Sequence, residues 1–214
     1  MPKKEDHFFV QTSVKDESLI ELRRQQIIKG AVKLFKEKGF HRATTRELAK
    51  AAGFSIGTLY EYIRTKEDVL YLVCDSIYKE VTNQLSSIST SAGTIDELKE
   101  AISQYFLLID RMIDEFTIMY QETKSLPKEA MKYVLKKEIE MVALFEKIIK
   151  NCVETGELTL SDKEIYLAAN HVVIQGQSWA FRKWVFQKHY SIHDYIQLQT
   201  KMVLSGMTHF QLEK

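Results

Sequence analysis

Apolar positions recur along this chain at the three-to-four-residue spacing of helices and almost nowhere with the alternation of strands. From Glu17 to Lys38, Ile27, Ala31, Leu34 and Phe35 fall on one stripe. Gly39, which tolerates left-handed backbone, ends that segment, and Phe40 turns the chain back into the same small core. Thr44 and Glu47 have the spacing of a capping box: the threonine side chain serves an orphan helix amide and the glutamate returns to the amide of the cap residue. Such a cap contributes ~1 kcal/mol. The helix so begun turns Leu48, Ala49 and Ala52 inward and stops at Gly53. A second short helix starts after Ser55 and runs to about Ile63. A helix of that length does not hold itself in water. Phe54, Leu59 and Ile63 must anchor it, which leaves Gly57, Thr58 and Glu61 outward and Tyr60 and Tyr62 on the flanks. Thr65 caps the next helix, with Glu67 and Asp68 in the first turn, where the helix dipole favours carboxylates. That helix continues to about Leu85 over Leu70, Val73, Ile77 and Val81.

The stretch from Ser86 to Thr94, SSISTSAGT, is the clearest loop. Helices then follow at roughly 95–113, 116–124, 128–154, 162–187 and 192–209, separated by Asp114-Glu115, Ser125-Leu126-Pro127, the neighbourhood of Gly156, and a turn from His189 to Ser191. The pattern predicts an all-α protein. Residues 1–16 are weakly patterned and read as a flexible arm, with Lys3, Lys4 and Lys15 available to phosphates, or as a terminus without a role. Residues 17–65 form an N-terminal three-helix domain, and 66–214 a larger helical domain.

Composition adds three constraints. With 45% apolar residues, 11 Phe and 10 Tyr, the 214 residues can bury a sizeable core. The net charge of +1 hides an asymmetry: 14 Lys and Arg face 8 Asp and Glu through Lys66, whereas 16 face 21 in the remainder. A basic third on an acidic body suits a chain of which only the first part meets a polyanion, although charge alone also varies by chance. Cys74 and Cys152 lie far apart in helical, apolar surroundings and read as reduced core thiols. No apolar signal segment opens the chain and no run approaches the ~18 apolar residues of a membrane span, so a cytoplasmic protein without membrane attachment is expected. No Gly-rich phosphate loop, G-x-S-x-G or H-E-x-x-H occurs, so neither catalytic residues nor a cofactor are assigned. His189 and His193 have the spacing of helical metal ligands but fall at a turn, and no metal is assigned to them.

A helix, a tight glycine-containing turn and a short capped helix form the arrangement that places a recognition helix in the major groove of double-stranded DNA. The residues that carry it are Thr44, Thr45, Leu48, Ala49, Ala52, Gly53, Ser55, Gly57, Thr58, Leu59, Tyr60, Tyr62, Lys66, Glu67 and Leu70. With Gly39-Phe40 before them and Thr65-Lys66-Glu67 after, they resemble the tetracycline-repressor (TetR) family of one-component transcription regulators. The resemblance implies about nine helices and a DNA-facing set of Thr44, Thr45, Arg46, Ser55, Ile56, Gly57, Thr58, Tyr60, Tyr62 and Lys66. Within that set, Thr44 or Thr45 with the amides of the capped helix would hold one phosphate, Tyr60 a second and Lys66 another. Arg46, Ile56, Gly57 and Thr58 would approach bases, although a helical wheel puts Ile56 nearer the core than the groove.

The resemblance also implies a homodimer built on the last two helices, whose two readers would lie about one DNA turn apart, roughly 34 to 36 Å, on a palindromic operator. Ile165, Ala169, Val172, Gly176 and Trp179 make one suitable stripe, and Leu198, Met202, Ser205 and Gly206 another; intrachain core accounts for both equally well. Phe106, Ile109, Phe116, Met119, Tyr120, Tyr133, Met141 and Trp179, with neighbours such as Tyr105, are the candidate lining of an effector site. His171, Gln175, Gln177 and Arg182 would orient its ligand. Ordinary packing accounts for the apolar members too. The tracts YQETKSLPKE and GQSWAFRKW resemble the C-terminal domains of family members that sense acyl-coenzyme A thioesters, for which Lys124, Arg182 and Lys183 would be the basic partners. The expected function is a ligand-responsive repressor, released from its operator by a small hydrophobic effector. The alternative is a helical protein-binding adaptor that keeps the fold without specific DNA recognition.

Overall fold

Local start and stop signals account for most of the architecture. In a computed structural model that describes residues 10–86 and 92–208, the chain forms α1 (Glu17–Lys38), α2 (Thr45–Ala52), α3 (Ile56–Tyr62), α4 (Lys66–Ser86), α5 (Ile95–Arg111), α6 (Ile113–Glu122), a single 3-10 turn (Thr123–Ser125), α7 (Lys128–Glu154), α8 (Asp162–Phe181), α9 (Lys183–Phe186) and α10 (Ile192–Thr208). The described residues contain no strand, and the protein is all-α. Asp16 caps α1, Thr44 and Glu47 close their capping box on α2, and Ser55 caps α3. At α4 the Thr65 hydroxyl accepts from the amide of Asp68, whose carboxylate in turn accepts from the amides of Arg64 and Thr65.

Two expected boundaries moved. Asp114 and Glu115 do not separate helices; they occupy the first turn of α6, and the break falls at Met112. The carboxylates there meet the amide end of a helix, so they start one instead of interrupting one. The segment expected as one helix over 162–187 breaks at Arg182, and its last turn becomes α9, which brings the helix count among the described residues to ten.

The chain divides into two compact units. One comprises Met1–Ile77 with Thr117–Lys136, the other Tyr78–Phe116 with Lys137–Lys214, and α4, α6 and α7 contribute residues to both. In the first unit, Ile27, Ala31 and Phe35 of α1 are buried with Phe40, Leu48, Leu59, Ile63 and Leu70. Phe35 and Phe40 meet edge to face at 5.2 Å. Gly30 lets α1 and α2 touch through backbone, since a Cβ there would stand 2.7 Å from the carbonyl carbon of Ala51. The first nine residues, Lys3 and Lys4 among them, lie outside the described residues. From Val10 onward the expected flexible arm is held down: Val10 is buried, its carbonyl accepts from Arg24 Nη2 at 2.6 Å, and Thr12 Oγ1 and the Ser13 amide both donate to the Glu61 carbonyl of α3.

In the second unit, Gly176 of α8 admits Tyr105, Phe106 and Ile109 of α5 against its backbone. Trp179 Nε1 donates to Asp110 at 2.7 Å, and the Trp179 ring packs 4.9 Å from Tyr195 of α10. Ile165, Ala169, Val172, Gly176 and Trp179 are therefore intrachain core, and the first of the two expected interface stripes is consumed in folding. The second, Leu198, Met202, Ser205 and Gly206 on α10, is exposed, together with Leu167 and Ile174 of α8. Cys74 and Cys152 are both buried and free of disulfide bonding. No described helix is long and apolar enough to cross a membrane.

Candidate functional site

The outward face of α2 and α3 is built from residues that packing leaves unused. Leu48, Ala49 and Leu59 are buried, whereas Thr44, Arg46, Ser55, Ile56, Gly57 and Tyr60 are exposed and Thr45 and Thr58 are partly exposed. Ile56 is 40% exposed, which settles the helical-wheel conflict in favour of the outward position. It is the first residue of a seven-residue helix, where the core is reached by the next turn, at Leu59. Gly57 has only Ser55 Oγ within 4 Å of an added Cβ, so its backbone is open to approach.

The hydroxyls on this face are organised in pairs. Tyr60, 50% exposed, places its hydroxyl 3.2 Å from Thr45 Oγ1. Ser55 Oγ accepts from the Thr58 amide at 3.0 Å and lies 2.9 Å from Thr58 Oγ1. Thr44 is taken up by its cap: its amide and hydroxyl both donate to Glu47 Oε2. Lys38 binds the other oxygen of that carboxylate at 2.6 Å, and these contacts hold the Glu47 carboxyl down at about 2. Of the two threonines at the start of α2, Thr45 is thus the one whose hydroxyl is turned towards Tyr60.

Two expected DNA contacts are placed elsewhere. Tyr62 is 3% exposed and stacks on Phe54, because its position in the last turn of α3 points it inward with Ile63. Lys66 sends its Nζ to the carbonyls of Phe40 and His41, with the ammonium 4.6 Å above the Phe40 ring, so it staples the turn between α1 and α2 to the start of α4. The Asp68 carboxylate, which accepts from the amides of Arg64 and Thr65 just ahead of α4, places a negative charge at this helix end and lessens its attraction for an anion. Near the same turn, Ser125 Oγ and Glu122 Oε2 both approach His41 Nε2, at 3.4 and 3.2 Å. Sharing one nitrogen, they make a tether and not the two-sided relay of a nucleophile, base and acid.

The expected effector residues fall into three groups. Phe106, Ile109, Phe116, Met141 and Trp179 are buried in the second unit. Met119 and Tyr133 are buried in the first, where the Tyr133 hydroxyl donates to Asp75 at 2.8 Å. Tyr120 is 64% exposed, and three of the four polar residues meant to orient a ligand do not face the core. His171 is exposed and Gln175 partly so on a shallow groove of about 200 Å³ between α8 and α10, while Arg182 is exposed with its guanidinium near the rings of Trp184 and Phe186. Gln177 alone of the polar group points inward, donating through Nε2 to Glu138 Oε1 at 2.5 Å. Tyr78 donates to the other Glu138 oxygen at 3.2 Å. Burial pushes the Glu138 carboxyl above its usual range. Neither Tyr78 nor Glu138 stands out in the sequence, because a tyrosine and a glutamate on long charged helices look like ordinary flank positions.

Comparison with known proteins agrees with this geometry. Residues 27–71 match the family model described as bacterial regulatory proteins, tetR family, and residues 91–179 match one described as tetracyclin repressor-like, C-terminal domain. The chain is 29% identical over 192 residues to the HTH-type transcriptional regulator HbdR of Aromatoleum sp. (strain CIB), covering 88% of this chain and 82% of that one. It is 35% identical over 89 residues to the fatty acid metabolism regulator protein of Bacillus subtilis (strain 168), covering 39% and 44% of the two chains. The crystal structure of AibR in complex with isovaleryl coenzyme A and operator DNA shares the fold, with a TM-score of 0.70 and 19% identity over 84% of this chain and 97% of that one.

Proposed function

Because the chain belongs to the tetR family of bacterial regulatory proteins and is a helix-turn-helix transcriptional regulator, we propose that it acts in the cytoplasm as a dimeric repressor, released from a palindromic operator when a small, largely apolar effector enters its helical body. The observation that carries the DNA half of this reading is the open face of α3, on which Ile56, Gly57 and Tyr60 are exposed while Leu59 and Tyr62 hold the helix down. Arg46, Ile56, Gly57 and Thr58 approach bases, and Thr45 with Tyr60 grips a phosphate. Thr44, Ser55 and Lys66 support them by fixing the ends of α2, α3 and α4.

The dimer is supported by the exposed apolar side chains of α8 and α10, Leu167, Ile174, Leu198 and Met202, beside Gly206. Met202 is 68% exposed, and apolar surface gathered on neighbouring helices is what a second copy covers. Effector control is supported by the aromatic interior of the second unit, and an acyl-coenzyme A is one effector class, by likeness to AibR with its isovaleryl coenzyme A. Arg182 is exposed and available to such a head group, whereas Lys183 is paired with Asp114 at 3.3 Å.

The test is a salt titration of binding to the DNA beside the protein's own gene. A repressor of this kind retains a palindromic segment over scrambled DNA at every salt concentration, and log affinity falls linearly with log salt. A protein-binding adaptor shows no such preference, and that result refutes the reading. Native mass spectrometry of the purified protein identifies the effector class.

A further inference from the structure

Inside the second unit, four helices each bring one polar side chain to the same place: Tyr78 from α4, Tyr105 from α5, Glu138 from α7 and Gln177 from α8. We propose that this cluster binds the head group of a small apolar molecule that donates hydrogen bonds, an amine or an alcohol and not an acid. The proposal rests on the reading of the chain as effector-controlled and, within that reading, favours a hydrogen-bond-donating effector over an acyl-coenzyme A thioester.

Two features separate the cluster from a closed structural network. The Tyr105 side chain is fully buried, and its hydroxyl has no protein partner of proper hydrogen-bond geometry; Gln177 stands beside it with its amide nitrogen given to Glu138. Buried polar groups are nearly always paired, so an unpaired phenol amid other polar groups points to a ligand or water. Glu138 is the second feature. Each of its oxygens accepts one hydrogen bond, which leaves lone pairs on both, and no cation figures among the groups that act on it. A half-buried carboxylate without a counter-charge is less well solvated than one in water, and a donor that approaches it relieves part of that cost.

A hydroxyl satisfies both groups at once, donating to Glu138 while accepting from the Tyr105 hydroxyl, and a protonated amine does so by donating both to Glu138 and to the Tyr105 phenol oxygen. A carboxylate would face Glu138 as a like charge, and a carbonyl would serve Tyr105 but leave Glu138 as it stands. The surroundings suit an apolar remainder: the Tyr105 ring lies 5.3 Å from Phe145 and 6.1 Å from Phe106, and Gly176 lets it press on the backbone of α8.

The proposal is tested on the full-length protein by isothermal titration calorimetry with octan-1-amine, octan-1-ol and octanoate. The amine and the alcohol should bind at least about tenfold more tightly than octanoate, the scale of one hydrogen bond to a charged group. Glu138→Gln should weaken the amine by about tenfold and the alcohol less, and Tyr105→Phe should weaken both. Both replacements are near-isosteric, and Tyr78→Phe, which removes one bond to the same carboxylate, is a second route to the same readout. Equal or tighter binding of octanoate, no binding by any of the three, or variants that bind all three like the natural chain would each overturn the proposal. Release of labelled operator DNA is measured in parallel. Selective amine binding without release would refute effector control of DNA binding while leaving the site standing.

Discussion

The hydroxyl oxygens of Thr45 and Tyr60 stand 3.2 Å apart and join the start of α2 to the exposed side of α3. One hydrogen suffices for the bond between them, so the other can be donated outward, to a phosphate oxygen under the proposed reading. Tyr60→Phe and Thr45→Ala should each weaken DNA binding by roughly tenfold on specific and scrambled sequences alike, the scale of a hydrogen bond to a charged acceptor. Neither residue is charged, so the salt slope should stay as it is. Because the two share a bond, the double variant should lose less than the sum of the singles. Fluorescence anisotropy at several salt concentrations reads all three, and a loss confined to the specific sequence would contradict the assignment.

Gly57 separates fold from recognition. An added Cβ would meet only Ser55 Oγ at 3.7 Å, and alanine favours a helix over glycine by up to ~1 kcal/mol. Gly57→Ala should therefore unfold at the same denaturant concentration or higher while its operator affinity falls by about tenfold, if backbone at this position approaches the bases as proposed. Undiminished operator binding would remove Gly57 from the interface.

Gly30 and Gly176 should differ in what replacement costs. At Gly176 a Cβ would meet the ends of Tyr105, Ile109 and Phe106 at 2.7 to 3.0 Å, side chains that give by rotating, so Gly176→Ala should cost about 1 to 3 kcal/mol as overpacking does. At Gly30 the obstacle is the backbone of Ala51 and Ala52 at 2.7 to 2.8 Å. Gly30→Ala should lie at or beyond the upper end of that range and prise α2 from α1. Urea unfolding of both variants decides the order.

The Lys38, Glu47 and Thr44 contacts should be visible in acid. The Glu47 carboxyl is held at about 2 against an ordinary 4.5, so the unfolded chain binds its proton first. The stability these contacts contribute is present above pH 4.5 and disappears as pH falls towards 2. Urea midpoints of the natural chain and of Glu47→Gln should therefore converge as pH is lowered through that window. Parallel curves would mean that the contacts contribute nothing.

Signals within one turn of helix carried the sequence reading furthest. Thr44 with Glu47, Ser55, Thr65, Gly39 and Gly53 mark helix ends chemically, and the structure puts the ends where they stand. The breaks at Met112 and Arg182 have no glycine or proline to announce them. What α8 buries was open for a related reason: it is apolar on more than one side, so the stripe through Ala169 and Gly176 and the one through Leu167 and Ile174 suit an interface equally well until α5 occupies the first. Tyr62 lies at a helix end, where a wheel drawn from sequence loses its phase, and is buried; Lys66, expected at a phosphate from the resemblance, reaches the carbonyls of Phe40 and His41. The meeting of Tyr78, Tyr105, Glu138 and Gln177 depends on how four helices cross, which no local pattern encodes.

The bond from Thr12 and Ser13 to the Glu61 carbonyl changes what the unpatterned leader is for. Helix α3 has seven residues, too few to persist in water, and Glu61 lies in its last turn. Ser55 pins one end and the leader splints the other. Shortening the gene product to begin at Glu17 would spare every residue of the proposed reading face and should still weaken operator binding, because the end of α3 would lose these hydrogen bonds. Insertions and tags belong ahead of Val10, never between it and α1.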